Sequence, residues 1–351
     1  MATRTMNPVK VLNFFTQVKR SPNVSRFGLC NIFQGFTTAR RDDQPPEYIS
    51  ASQVQQVLRY KELIPEIEKS FVNFSDRKNG GIIQPVRLKV PVKEHSGILY
   101  VMPCYSAKDN ALITKVTAPY YSKDNVNHRV PSHLLYFNAG TGDLVAIMDG
   151  TVISEMRTAA ASAVATKHLA SEDTEVLCIL GSGAQARSHA QALKFVRPFS
   201  EVRVWSRTPA NAKRFAEEIG ATACETAEQA VSGADVIVTV TSSSTPVLLG
   251  KWIKPGAHIN GAGAARPTWR ELDDDVMHKS VVIADSIEAA MVESGAIILS
   301  KAKVTGELGE VISGKIKVDK KKTTLFKSLG MAVQDVVSAK LVYERIQETK
   351  S

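Results

Sequence analysis

The stretch EVLCILGSGAQARSHAQAL, Glu175–Leu193, restricts the fold more than any other part of this 351-residue chain. Val176 to Leu180 is a short apolar run of the kind that forms a buried strand, and a glycine turn and a helical pattern follow it. Gly181 permits the tight turn. Gly183 lets a pyrophosphate approach the backbone, and Ala186 fills the third small position, where helix and strand pack closely. The helix, with Ala184 and Gln185 in its first turn, aims free N–H groups and the positive end of its dipole at a phosphate. Further apolar runs, EVRVW, ADVIVTVT, GAHINGAG and SVVIADS, alternate with helical segments. That is the βαβ grammar of a doubly wound parallel sheet.

The second strand of such a unit normally ends in an acid that accepts hydrogen bonds from a ribose 2′-hydroxyl. Here it ends in Trp205, Ser206 and Arg207. An acid would repel a 2′-phosphate, whereas a guanidinium fork suits one. Ser206 and Thr208 add hydroxyls beside it, Asn211 lies one turn further on, and Thr241 and Ser242 close the next strand. The cofactor reading is NADP(H), with NAD(H) second, and FAD would usually keep the acid. The alternative for Arg207 is a solvated surface charge.

Upstream, residues 80–150 hold short apolar runs separated by turn signals: GGIIQPVRLKVPV, GILYVMPCYS, NALITKVTAPYY, HLLYF and DLVAIMDG. YISASQVQQVL opens a helix, with Ser50 or Ser52 as its cap, that continues to about Phe74. ISEMRTAAASAVATKHLA is helical in period. TTLFKSLGMAVQDVVSAKLVYERI reads as one long amphipathic helix returning to the first domain. The expected fold class is therefore α/β: a doubly wound Rossmann NADP-binding domain over 171–319, plus an α+β substrate-binding and dimerisation domain over 48–170 and 320–351.

The net charge of +9 does not announce a nucleic-acid partner. Residues 1–41 carry seven Lys or Arg (Arg4, Lys10, Lys19, Arg20, Arg26, Arg40, Arg41) and no acid, so nine minus seven leaves +2 for the remainder. That composition matches a mitochondrial transit peptide, with a disordered extension over 1–47 as the other reading, which leaves a mitochondrial or a cytoplasmic protein. KIKVDKKK, Lys315–Lys322, reads as a solvated loop. No apolar run approaches the roughly 18 to 20 residues that cross a bilayer. Cys30, Cys104, Cys178 and Cys224 show no metal-ligand spacing, and no metal site is expected.

GGIIQPVR, ALITK, VPSH, AIMDGTVISEMRTAAASAVATKHL, VLCILGSGAQA, KPGAHINGAGAARPTWRELDDD, ESG, GELGEVISG and TTLFKSLGMAVQDVVSAKLVY occur in that order. On these segments the chain resembles the ornithine cyclodeaminase/mu-crystallin family from about Tyr48 to the C-terminus, and within it the ketimine reductase mu-crystallin branch. The resemblance implies an NADPH-dependent reductase of cyclic imino acids, of the Δ1-piperideine-2-carboxylate and Δ1-pyrroline-2-carboxylate type. It also implies a homodimer paired through the non-Rossmann domain, and binding of thyroid hormone. By motif it places Arg87, Lys115 and Arg157 around the substrate carboxylate and cofactor, with Glu293 of ESG and Ala265 also at the substrate. Ser132 and His133 of VPSH and Ser328 of KSLG are placed at the cofactor.

The residues agree with that assignment. Arginine forks bind and orient a carboxylate beside a C=N bond. Lys115 interrupts an apolar strand, an expensive place for an ammonium without a partner; the alternative is an edge-strand lysine reaching water. His133 by itself reads more readily as structural. Two departures stand out. The cyclodeaminase branch needs an Asp after NGAG, where this chain has Ala264 and Ala265, so ornithine deamination is disfavoured, as is an alanine-dehydrogenase-like reaction. The strand after His133 is about three residues shorter than the family's. A non-catalytic hormone- or NADPH-binding protein is the competing class. No Asp or Glu is assigned as a base, and Lys115 is left as either proton donor or carboxylate ligand.

Overall fold

The computed structural model describes residues 45–120 and 130–350. The expected leader over 1–47 lies almost wholly outside the described residues. Two sheets organise the rest.

The first sheet comprises β1 (Glu47–Ile49), β2 (Ile82–Ile83), β3 (Leu88–Val92), β4 (Gly97–Ser106), β5 (Ala111–Thr117), β6 (Ser132–Asn138) and β7 (Leu144–Asp149). Its order is β1-β7-β6-β5-β4-β2, with β3 also on β4. All neighbours are antiparallel except β1, which runs parallel to β7. The strands show period-two burial. On β5, Ala111, Ile113 and Lys115 face inward, and Leu112, Thr114 and Val116 face the other side. The inward side packs with the helices Tyr60–Ser75 and Ala332–Glu348 into a core that includes Phe71, Ile113, Leu134 and Val336.

The second sheet comprises β8 (Val176–Leu180), β9 (Glu201–Trp205), β10 (Thr222–Ala223), β11 (Val236–Thr239), β12 (His258–Gly261), β13 (Val281–Ala284), β14 (Gly306–Glu307) and β15 (Thr324–Lys327). Its order is β10-β9-β8-β11-β12-β15-β13-β14, parallel throughout. Strands buried on both faces explain the continuous apolar runs. Cys178, at 0% exposure, is a small hydrophobe inside one of them. The strand order reverses at β8, so the glycine turn that follows it stands at the switch point, where such sheets bind ligands.

Three sequence expectations change. TTLFK is not helical: it forms β15, inserted between β12 and β13. Its Thr, Leu and Phe suit a fully buried strand, and Gly330 at φ +81° ends the turn before the helix Ala332–Glu348 begins. The boundary at 320 consequently moves, because the chain leaves the second sheet only after Lys327. The helix expected from Ser50 to Phe74 is two helices, Ala51–Val57 and Tyr60–Ser75. Ser50 caps the first in a capping box with Gln53. Arg59 folds back onto the carbonyls of Gln55 and Gln56 and so ends it.

Candidate active site

The inward row of β5 ends in Lys115, flanked across the sheet by Met102 and Leu134. An ammonium in that position, 3% exposed, needs a partner. The partner comes from the C-terminal helix: Nζ lies 3.2 Å from Oδ1 of Asp335. Arg157, on the helix Gly150–Leu169, brings Nε to the same oxygen at 3.2 Å and donates from Nη1 to Gln334 Oε1 at 2.9 Å. Asp335 is fully buried, and its second oxygen, Oδ2, has no hydrogen-bond partner among the described residues. Burial is the main force on Lys115 and pulls its pKa down to about 8. Asp335 opposes the fall, while the charges of Arg157 and Arg87 add to it.

Arg87 lies between β2 and β3. Its Nη2 donates to the carbonyls of Leu329 and Gly330 at 3.0 and 2.9 Å, and its Nε is 2.9 Å from Glu293 Oε2. Lys89 reaches the other oxygen of Glu293 at 3.2 Å. Arg87 and Arg157 thus meet the same turn from two sides. At Gly330 a Cβ would come within 2.5 Å of Arg157 Nη1, so only glycine lets the guanidinium lie there. The turn is fastened from beneath by Asp285, whose Oδ2 accepts the N–H groups of Leu329 and Gly330 at 2.7 and 2.8 Å. The space between Arg87, Met102, Glu293 and Met331 is about 20 Å³, room for one water. Glu293 therefore occupies the Nε side of the Arg87 guanidinium.

The turn continues β15 and therefore lies at the carboxyl edge of the parallel sheet, the edge that carries Gly181–Gly183 after β8. The residues there fit a dinucleotide. A Cβ at Gly183 would meet nothing within 4 Å, leaving the approach to the backbone open, and Gly181 takes φ +131°. Ser132 Oγ, Gln185 Oε1 and Ser328 Oγ are buried without hydrogen-bond partners among the described residues, as polar atoms waiting on a ligand would be. Ser182 donates to Ser206 at 3.0 Å, and Arg207 and Thr208 are exposed beside them. Asn211 accepts from Arg214 at 2.9 Å. Thr241 donates its N–H to Glu271, and Ser242 is exposed.

Two assigned residues, His133 and Ala265, are exposed. His133 is exposed on the opposite face of β6 from Ser132, because neighbours along a strand alternate sides. The face that holds Lys115 and Ser132 excludes it. Ala265 is exposed, next to Ala264 at φ +49°. Residues 262–270, which follow β12, contain no Asp or Glu. The acid nearest it, Glu271, is turned inward onto Thr239 and Thr241. Asp335, Gln334, Asp285, Lys89 and Gly330 went unassigned in the sequence. The signal for Asp335 was present: a Gln-Asp pair inside GMAVQDVVSA, where every neighbour is small or apolar.

A doubly wound parallel sheet with a glycine turn at its switch point, and three cations gathered at the same edge, defines a nicotinamide-dinucleotide-dependent oxidoreductase for a carboxylate-bearing substrate. A family model, the ornithine cyclodeaminase/mu-crystallin family, matches residues 46–350. The chain belongs to that family. It is 51% identical over 305 residues to ketimine reductase mu-crystallin of Mus musculus, covering 85% of this chain and 97% of that protein. Among solved structures it is similar to Thermococcus litoralis Δ1-pyrroline-2-carboxylate reductase in complex with NADH and L-proline. That match has a TM-score of 0.82 and 34% identity, and covers 87% and 98% of the two chains. An archaeal alanine dehydrogenase dimer with bound NAD matches at TM-score 0.80 and 28% identity, covering 87% and 97%.

Proposed function

We propose that this chain reduces cyclic ketimines bearing a carboxylate, of the Δ1-piperideine-2-carboxylate and Δ1-pyrroline-2-carboxylate type, to cyclic amino acids. The observation that carries this reading is the convergence of Arg87 and Arg157 on the Leu329–Gly330 turn with Lys115 buried beside them. The chain's similarity to ketimine reductase mu-crystallin and to Δ1-pyrroline-2-carboxylate reductase supports it. When bound, a reduced nicotinamide supplies the hydride. The chain's own residues do the rest. Arg87 and Arg157 hold the carboxylate by charge-assisted hydrogen bonds and so fix which face of the C=N bond is presented. Apolar Met102 and Leu134 keep water from the imine. Lys115, with its pKa at about 8, is largely an ammonium at neutral pH and has a proton to give to the ring nitrogen.

NADPH is the cofactor this reading favours, because Arg207 is exposed beside Ser206 and Thr208 and its guanidinium can pair with a 2′-phosphate. A homodimer is supported by the outward face of the first sheet, where Ile83, Leu88 and Val90 are 67%, 60% and 44% exposed, and by the dimeric alanine dehydrogenase. Thyroid hormone also carries a carboxylate and would compete at Arg87. Among the described residues no helix is long and apolar enough to cross a membrane. The leader reading proposes a mitochondrial address, tested by fusing residues 1–48 to a fluorescent protein and looking for mitochondrial import.

The test of function is steady-state reduction of both ring sizes with NADPH and with NADH. Turnover of at least one, with kcat/KM higher for NADPH, is expected. Tight hormone binding with no turnover of any cyclic imino acid would replace this reading by a storage protein.

A further inference from the structure

We propose that Asp335 is a positioning residue that acts through Lys115, holding its Nζ in place and keeping it charged so that the ammonium can deliver a proton to the imine nitrogen. This rests on the reductase reading for its catalytic half and on geometry for the rest. Lys115 and Arg157 come from different elements, β5 and the helix Gly150–Leu169, and converge on one oxygen, Asp335 Oδ1, each at 3.2 Å. All three groups are buried. In a site this dry an unopposed ammonium reverts to the neutral amine, which has no proton to give.

The charged and titratable groups facing the pair come from every packed element. Arg157 and Arg87 push Lys115 toward the amine. The Cys104 thiol on β4 is near enough to feel Asp335, and burial keeps it protonated. Glu293 is committed to Arg87 and Lys89. Asp335 is therefore the one anion among the described residues in direct contact with Lys115. In the reaction it supports, a bound reduced nicotinamide would supply the hydride that forms the C–H bond at the imine carbon, with the π pair moving onto nitrogen. That nitrogen takes the proton from Lys115 Nζ. The neutral lysine left behind recovers a proton from solvent as product leaves.

The experiment is a pH titration of Lys115 in protein carrying ¹³Cε-labelled lysine, with its signal assigned through Lys115→Arg, in wild type and in Asp335→Asn. Asn keeps the shape and an acceptor oxygen but removes the charge. The midpoint should fall by about one pH unit or more, and the alkaline limb of the kcat/KM profile should move down with it. Activity lost at pH 8 should then be largely recovered at pH 6. A structural role alone would depress rates equally at all pH values. If Asp335→Asn proves unstable, Asp335→Glu, which retains the charge, should restore both midpoint and profile. An unmoved Lys115 midpoint overturns the proposal. A moved midpoint with an unmoved rate profile overturns its catalytic half. A wild type inactive on all cyclic imino acids counts against the function, while the titration still decides the Lys115–Asp335 linkage.

Discussion

Lys115 Nζ and Asp335 Oδ1 stand 3.2 Å apart, 220 residues apart in the chain, and each is the answer to the other's burial. Removing one partner of a buried pair strands the other, at a cost of about 3–5 kcal/mol. Asp335→Ala strands two cations, Lys115 and Arg157, and should destabilise the protein by at least that much in urea denaturation. A loss below about 1 kcal/mol would show that the two cations find water or another anion.

Gly330→Ala tests the Arg157 seat. The substitution puts a Cβ within 2.5 Å of Nη1 at a backbone φ of +81°, so both strain and contact oppose it. We expect about 1–3 kcal/mol of destabilisation together with weaker binding of L-proline or another carboxylate product, as Arg157 moves off the turn. Unaltered product affinity would remove Arg157 from the carboxylate site.

Arg207→Ala should weaken NADPH by about tenfold to a hundredfold, the loss of one charge-assisted contact of roughly 1.5–3 kcal/mol, and leave NADH nearly unchanged. Equal losses in fluorescence titrations with the two cofactors would make Arg207 structural.

His189 predicts a pH dependence of stability. It sits at 0% exposure between Gln185 O, at 2.7 Å from Nδ1, and Ser162 Oγ, at 2.9 Å from Nε2. The carbonyl requires the proton on Nδ1, so Nε2 accepts from Ser162. Burial holds this ring's pKa at about 4. The unfolded ring binds a proton near 6.5 and the folded ring does not, so its contribution is complete above about pH 6.5. It is lost as pH falls toward 4, by about 1.4 kcal/mol per pH unit. His189→Gln should flatten the slope of unfolding free energy between pH 6.5 and 5 by that amount. Equal slopes in the two proteins would mean that His189 takes up its proton while folded.

The dinucleotide half was legible because its signals are local. The glycine turn and the apolar strand before it adjoin one another in the chain. β15 was missed because Thr324–Lys327 runs directly into a helical pattern, and only pairing with β12 and β13 makes it a strand. Lys115 was found as a charge on an apolar strand. The same reasoning applied to Asp335, a charge on an apolar helix, would have supplied its partner. What the sequence cannot show is that β5 and the C-terminal helix face one another. Nor can a motif show that Ser132 and His133, neighbours in the chain, lie on opposite faces of their strand.

In the proposed reaction a buried lysine, held by Asp335 beside two arginines, does the proton chemistry of imine reduction. The most direct test is the rate of NADPH oxidation with Δ1-piperideine-2-carboxylate and Δ1-pyrroline-2-carboxylate by wild type and Lys115→Met, with folding checked by thermal denaturation. Loss of the proton donor should lower kcat by roughly a hundredfold to ten-thousandfold in a protein that still binds NADPH. A Lys115→Met protein that reduces every cyclic imino acid at the wild-type rate would rule Lys115 out as the proton donor.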